Sequence, residues 1–145
     1  MNFEAYQIGE MALLGMFHDI GKIGLDQNIL NGNEINEMQR KEIKKHPETG
    51  YHILKSVSEF SHISEYVLCH HERPDGTGYP RGLRGEEIPI ESRILSIAEA
   101  YDSMTNNHYK EPIPVPNAVN ELKLNMGTQF DEEIVKIFIG KVINQ

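Results

Sequence analysis

The sequence predicts an all-α fold. Residues from about Glu4 to Lys22 carry apolar side chains at helical spacing, which predicts a well-buried first helix. Similar apolar runs recur along the chain with proline and glycine between them. No pair of alternating apolar and polar segments indicates a β-hairpin. At 145 residues the chain is long enough for one compact domain, which we place at 1–145.

Capping residues and proline set the next helix boundaries. Asn36 is suited to cap the helix that follows it. His46 stands before Pro47 and ends that helix, because proline disfavours the α conformation in the preceding residue. Pro47 then suits the first turn of a new helix. A further helix is predicted from Ile63 to Glu72.

The second half of the chain combines one long irregular stretch with three helices. Arg73 to Ile90 is rich in glycine and proline, and a loop of this length in a compact domain is usually functional or disordered. The helices are predicted at 92–101, 118–124 and 132–142. Asp131 caps the last of them. Three prolines predict an extended connection before the second: Pro112, Pro114 and Pro116.

Composition narrows the class of protein. The chain has 22 acidic and 14 basic residues and a formal net charge of −8, which disfavours a nucleic-acid or anionic-membrane partner. Cys69 is the only cysteine, so no internal disulfide can form and a reducing compartment is expected. No apolar run approaches the roughly 20 residues that span a bilayer. We therefore expect a cytoplasmic protein.

His18 and Asp19 form the first chemical motif. They stand side by side in an apolar stretch, and burying them without partners would be costly. A carboxylate can bridge two divalent ions roughly 3.5–4 Å apart, which together hold a phosphate for in-line attack. A salt-bridged core pair is the alternative. Gly21 permits a close backbone approach, and Lys22 could place a positive charge on a phosphate oxygen.

Three further histidines extend this pattern. His46 stands at a predicted helix junction, and His70 and His71 stand at a predicted helix end. Neighbouring residues on a helix diverge by about 100°, so both can serve one cluster only at a helix end or when the cluster lies in the wedge between their directions. Each motif alone could be a solvated polar helix end. Together with His18 and Asp19 they predict a metal centre for phosphoester hydrolysis.

The irregular stretch carries positive charge. Segment 73–84 contains three arginines and one aspartate, which gives it a local charge of +2 (3 − 1). Arginine forks suit phosphate oxygens. Tyr79 could stack on a base or anchor a partner. A plain surface loop is the alternative.

These motifs resemble the HD-GYP family, a branch of the HD metal-dependent phosphohydrolases. The resemblance covers about residues 8–139. It implies an HD-type helical bundle with two or three metal ions, iron or manganese, that hydrolyses the bacterial messenger cyclic di-GMP to pGpG or GMP. The stretches that match follow the family's order: His18-Asp19-Ile20-Gly21-Lys22, His46-Pro47, His70-His71-Glu72-Arg73, Asp75-Gly76-Thr77-Gly78-Tyr79-Pro80, Arg93-Ile94-Leu95 and Gly127-Thr128-Gln129-Phe130-Asp131.

The resemblance also implies a role for individual residues. Asp19 would bridge the metals and Lys22 would lie near the scissile phosphate, as the catalytic pair. The loop Gly78-Tyr79-Pro80 would contact diguanylate-cyclase (GGDEF) domains. The implied metal ligands are His18, Asp19, His46, His70, His71 and Glu99. Together with the loop arginines inferred from local charge, the candidate substrate-binding residues are Arg73, Gly78, Tyr79, Arg81 and Lys110.

The chain departs from the family pattern at several positions. Glu99 stands where the family has aspartate, and its extra methylene moves the carboxylate by roughly a bond length. His108-Tyr109-Lys110 replaces an Arg-Pro-Tyr-Arg run, and Asn31-Gly32-Asn33 replaces a Lys-Pro-Gly turn. No histidine precedes His18, so we expect the family's first helix to be absent. The apolar face left uncovered would favour a homodimer.

Two alternatives to the phosphodiesterase remain open. The departures favour a degenerate module that binds a protein partner, or that binds the nucleotide without cleaving it. A different HD-type phosphohydrolase acting on nucleotides is disfavoured by the loop from Asp75 to Pro80. Five retained ligands together with Lys22 favour the enzyme.

Overall fold

The computed structural model describes residues 5–26, 29, 35–106 and 111–143, and no β-strand occurs within these ranges. The predicted all-α fold is confirmed. No helix in these ranges has the length and apolar character that a membrane crossing requires. The α-helices are α1 (Ala5–Phe17), α2 (Glu37–Ile43), α3 (His46–Lys55), α4 (Ser64–Cys69), α5 (Ile90–Thr105), α6 (Val115–Leu124) and α7 (Glu132–Phe138). Shorter 3-10 segments are Ile20–Gly24, Ser58–Ile63 and Gly85–Glu87, and Ile139–Ile143 forms a π-helical turn.

Several helix ends lie where the sequence predicts them. The Asn36 side chain accepts a hydrogen bond from the Gln39 N–H at 2.9 Å, and the Gln39 side chain accepts one from the Asn36 N–H at 2.9 Å. This reciprocal capping box begins α2. Pro47 lies in the first turn of α3, where its missing N–H costs no helical hydrogen bond. Asp131 caps α7 by accepting from the Ile134 N–H at 3.1 Å.

Other predicted boundaries were wrong. The first helix ends at Phe17, and the chain continues through a turn into the 3-10 segment Ile20–Gly24. This helix is not well buried as predicted, because Leu14 lies in the core but Ile8 and Met16 are 62% and 76% exposed. The helix predicted from Ile63 to Glu72 is α-helical only between Ser64 and Cys69. Pro116 was predicted to lie in an extended connection but lies in the first turn of α6. Proline is also compatible with that position, because the first turn needs no N–H donor there. The last α-helix ends at Phe138. The turn predicted at 31–33 lies outside the described residues.

The chain divides into two compact units, Met1–His71 and Glu72–Gln145. In the first unit, α3 packs against α4 and against the 3-10 segment Ile20–Gly24, and α1 also contacts α4. The buried core of this unit includes Leu14, Leu54, Ile63, Val67 and Leu68. Its helices therefore meet around α3 and α4, whose ends carry three of the candidate histidines.

Gly21 sets how closely the 3-10 segment approaches α3. A Cβ atom on Gly21 would lie 1.9 Å from the His46 carbonyl oxygen and 2.7 Å from the Gly50 nitrogen. Both are backbone atoms, so they could move only if α3 moved. The predicted close approach is confirmed, and it places the 3-10 segment Ile20–Gly24 against the helix that begins at His46.

In the second unit, α5, α6 and α7 pack together around a core of Ile97, Leu122, Phe130, Ile134 and Val135. Arg93 on α5 donates a hydrogen bond to Asp131 at 2.7 Å. The residue that caps α7 therefore also binds α5. The predicted loop precedes α5, with one short 3-10 segment at Gly85–Glu87.

Gly21→Ala is expected to lower the free energy of unfolding by about 3 kcal/mol, because the added methyl overlaps the backbone of α3. Gly24→Ala is the matched control in the same 3-10 segment, since a Cβ there meets no atom within 4 Å. The control should change stability by less than about 1 kcal/mol. Urea denaturation of both variants measures the difference. Equal stability would contradict the close approach.

Candidate metal centre

Four histidines and one aspartate of the first unit meet at the ends of helices. His18 and Asp19 follow α1, His46 begins α3, and His70 and His71 follow α4. The ring centroids of His18 and His70 lie 5.6 Å apart, and those of His46 and His71 lie 5.0 Å apart. The His70 centroid lies 5.2 Å from that of His46 and 4.0 Å from that of His71. The predicted convergence of separate stretches is therefore present.

Backbone carbonyls orient three of these rings. His18, His46 and His70 each direct Nδ1 at the carbonyl oxygen of the residue three positions earlier. The distance is 2.7 Å for both His18 and His46. Because a carbonyl oxygen only accepts, each Nδ1 carries the hydrogen, and Nε2 of the neutral ring keeps its lone pair. This arrangement makes Nε2 the available ligand atom on all three rings.

The available nitrogens approach one another closely. One ligand nitrogen each from His46, His70 and His71 lies within 4.8 Å of the others. Nε2 of His46 and Nε2 of His70 are 3.2 Å apart. Two lone pairs at this distance repel each other unless a positive charge lies between or beside them. Imidazole nitrogens are good ligands for divalent transition metals, so a metal ion would relieve the repulsion.

Asp19 supplies a negative charge beside the rings. Its Oδ1 lies 3.3 Å from Nε2 of His46, and its Oδ2 lies 2.7 Å from Nζ of Lys22 and 3.5 Å from Nε2 of His18. Oδ1 is buried and accepts no hydrogen bond from the described part of the chain. A buried carboxylate oxygen without a donor is costly, and metal binding would satisfy it. The side chains present therefore fit a divalent metal ion.

The pKa shifts favour the protonation states that metal binding requires. Burial lowers the pKa of His70 to about 3 and the pKa of His71 to about 2. Burial also lowers the pKa of His46, against the opposing charge of Asp19. Burial alone would raise the pKa of Asp19, but the hydrogen bond and positive charge of Lys22 hold it below its usual value. At neutral pH these three rings are neutral and the carboxylate is charged, as ligands must be.

Five of the six predicted metal ligands lie together in the first unit, and Lys22 lies beside Asp19. Glu99 lies on α5 in the second unit, and its role as a ligand stays a prediction. The substrate roles of Arg73, Gly78, Tyr79 and Arg81, all in the loop of the second unit, also stay predictions. Lys110 lies outside the described residues.

Glu72 is a buried charged residue to which sequence reasoning gave no role beyond marking a helix end. It is only 3% exposed, and its carboxylate accepts hydrogen bonds from three backbone N–H groups nine to eleven residues further on. The sequence signal for such a role was the position of this acidic residue directly after two candidate metal ligands. Its partners are backbone groups, which no side-chain pattern reveals.

Acid is expected to destabilise the metal-free protein through His70. The unfolded ring binds a proton below about pH 6.5, whereas the folded ring does so only near pH 3. The stability that this group contributes is therefore complete above pH 6.5 and is lost as the pH falls toward 3. The slope is at most about 1.4 kcal/mol per pH unit.

Urea denaturation of the metal-free protein between pH 7.5 and 4.5 measures this slope. His70→Asn should flatten it, whereas His52→Asn, at an exposed position of α3, should leave it unchanged. Identical slopes for the two variants would rule out the assigned contribution of His70.

Comparison with known proteins places these features in a family. A model of the HD domain matches residues 1–134. The cyclic di-GMP phosphodiesterase of Thermotoga maritima is 38% identical over 136 residues, which are 91% of this chain and 37% of that protein. The cyclic di-GMP phosphodiesterase response regulator RpfG of Xanthomonas campestris is also 38% identical over 136 residues, covering 91% of this chain and 35% of that protein. The chain thus spans little more than a third of these relatives.

A solved structure shares the fold. The crystal structure of a cyclic GMP-AMP specific phosphodiesterase of V. cholerae matches with a TM-score of 0.75 and 18% identity, over 99% of this chain and 40% of that one. At this identity the likeness supports the fold alone. Because the HD-domain model covers most of the chain and the motifs stand in the predicted order, the chain belongs to the HD-domain family, in its HD-GYP branch.

Proposed function

We propose that residues 1–145 form a single HD-GYP domain of a metal-dependent phosphodiesterase that hydrolyses cyclic di-GMP to pGpG or GMP. The convergence of two buried histidines, His46 and His70, and the half-buried His71 beside the unsatisfied Oδ1 atom of Asp19 carries this proposal. Mixed imidazole and carboxylate donors suit iron or manganese, and we propose two or three ions. The names of the relatives supply the substrate.

A bound divalent metal would lower the pKa of a coordinated water and polarise the phosphate. His46, His70 and His71 would hold it through the nitrogens that face one another. Asp19 would use Oδ1 as a ligand atom while Oδ2 keeps the Lys22 ammonium in place at 2.7 Å. The Lys22 side chain is 27% exposed, so its ammonium can reach a phosphate oxygen from the edge of the cluster.

We propose that the loop of the second unit binds the substrate through Arg73, Gly78, Tyr79 and Arg81. Nε of Arg73 is buried, donates no hydrogen bond to any described residue, and lies 3.8 Å from Oδ1 of Asp75. A guanidinium with an unused donor suits a phosphate. Lys110 is proposed for the same role, and Glu99 is proposed as a further metal ligand.

Partners and location are also proposals. The Gly78-Tyr79-Pro80 turn is proposed to contact GGDEF domains. A homodimer would cover apolar side chains of α1, where Tyr6, Ile8 and Met16 are 68%, 62% and 76% exposed. A single, buried cysteine suits the reducing environment of the cytoplasm.

Removing a ligand should abolish activity through loss of metal. His46→Asn and His70→Asn, each separately, are expected to lower metal content and to reduce cyclic di-GMP turnover by at least about 100-fold. Metal analysis after loading with manganese or iron, together with chromatography of pGpG and GMP, measures both effects. His52→Asn is the exposed control. Full metal content and full activity in either variant would contradict the assigned centre.

Lys22→Met should separate catalysis from metal binding. The variant keeps the length of the side chain but removes the charge, so kcat for cyclic di-GMP is expected to fall about 100-fold. Metal content should not fall, because the change also removes a competing cation from Asp19. Lys55→Met, at an exposed position on α3, is the control. An unchanged kcat would remove Lys22 from the mechanism.

A further inference from the structure

The buried carboxylate of Glu72 binds backbone groups at the tip of the loop between Arg73 and Ile90. Oε1 of Glu72 accepts hydrogen bonds from the N–H groups of Arg81 at 2.6 Å and Gly82 at 3.1 Å. Oε2 accepts one from the N–H group of Leu83 at 3.0 Å. Hydrogen bonds to a charged acceptor are the stronger kind, and Glu72 is only 3% exposed. We name this arrangement the Glu72 clamp.

The loop backbone is shaped to fit the Glu72 clamp. Gly82 has a φ of 68°, in the left-handed region that glycine adopts without strain. A residue in this conformation turns successive N–H groups toward one anion. Three neighbouring donors can therefore reach the two oxygens of one side chain.

Gly78 brings the other side of the same turn against Glu72. A Cβ atom on Gly78 would lie 2.4 Å from the Arg73 nitrogen and 2.5 Å from the Glu72 Cα. The loop backbone therefore contacts the Glu72 segment before Tyr79 and binds its carboxylate after Pro80. Tyr79 lies between these two attachment points, so its position depends on both.

The base of the loop has hydrogen bonds of its own. The Gly85 N–H donates to the Pro74 carbonyl at 3.1 Å, and the Asp75 N–H donates to the Thr128 carbonyl at 3.2 Å. The exposed Glu87 side chain accepts one bond from the Arg84 N–H at 2.8 Å. These bonds do not involve residues 78–83. Loss of the Glu72 clamp should therefore loosen the tip of the loop while its base stays closed.

We propose that Glu72 is a positioning residue for substrate binding. Its carboxylate holds Tyr79 and Arg81 in the arrangement that receives the cyclic dinucleotide. This inference rests on the proposed function, in which those two residues bind the substrate. Glu72 acts through the backbone of residues 81–83.

Glu72→Gln is the test variant because it preserves size and removes one acceptor. Its amide NH₂ group would face a backbone N–H donor in place of an oxygen. Glu87→Gln is the matched control, with the same substitution in the same loop but with one exposed backbone hydrogen bond. Amide hydrogen exchange of residues 81–83 should accelerate on the order of tenfold in Glu72→Gln, and should stay unchanged in Glu87→Gln.

Steady-state kinetics of the metal-loaded protein tests the positioning role. Glu72→Gln is expected to raise KM for cyclic di-GMP on the order of tenfold, with a much smaller change in kcat and unchanged metal content. A general loss of structure would instead lower metal content and kcat together. Glu72→Asp keeps the charge on a shorter side chain and should restore part of the affinity, and it serves as the second variant if Glu72→Gln does not fold.

The outcomes separate this inference from the proposed function. Unchanged exchange at residues 81–83 in Glu72→Gln would overturn the clamp, and faster exchange with unchanged KM would overturn the positioning role. If the wild-type protein does not hydrolyse cyclic di-GMP, the proposed function fails. The positioning role of Glu72 is then tested by calorimetric measurement of cyclic di-GMP binding. Weaker binding by Glu72→Gln would still support positioning. Absence of binding to the wild-type protein would overturn it.

Discussion

The candidate metal centre depends on hydrogen bonds between histidine Nδ1 atoms and the carbonyl ends of helices. His18, His46 and His70 each bind a carbonyl from the last turn of the preceding helix, namely α1, α2 and α4. Those carbonyls have no partner within their own helices. One interaction therefore completes a helix end, fixes the tautomer of a ring and directs its Nε2 atom at the cluster.

This arrangement makes the metal-free centre unfavourable. Neutral rings direct lone pairs at one another, with 3.2 Å between the Nε2 atoms of His46 and His70, and Asp19 holds a buried oxygen without a donor. The lysine beside Asp19 offsets part of its charge but reaches only Oδ2. A divalent ion would satisfy the nitrogens and the oxygen at once, so its binding free energy would also stabilise the fold.

Local sequence patterns explain the helices better than they explain the site. Asn36, Pro47 and Asp131 predict helix starts because capping depends on residues within a few positions. The convergence of His18 with His46 and His70 depends on packing between helices, so it was inferred from the combination of motifs and from the resemblance. The early end of α1 was missed because a 3-10 segment can continue an apolar pattern. The Glu72 clamp was missed because its donors belong to the backbone.

Charge adds a further constraint on any anionic substrate. The chain has a formal net charge of −8, so its long-range field repels a cyclic dinucleotide. At physiological ionic strength this field is screened over about 8 Å, and groups near the ligand then dominate. Positive charge beside a bound anion must therefore be local, and in the first unit Lys22 supplies it next to Asp19.

Three consecutive residues contribute to two different features of the structure. His70 and His71 are candidate ligands at the end of α4, and Glu72 is the anchor of the loop. His70 is fully buried and Glu72 is 3% exposed, so both side chains need polar partners. His70 finds its partner at the carbonyl oxygen of Val67, in the first unit, and Glu72 finds three backbone N–H groups in the second. Each of these two buried side chains therefore binds backbone groups of its own unit.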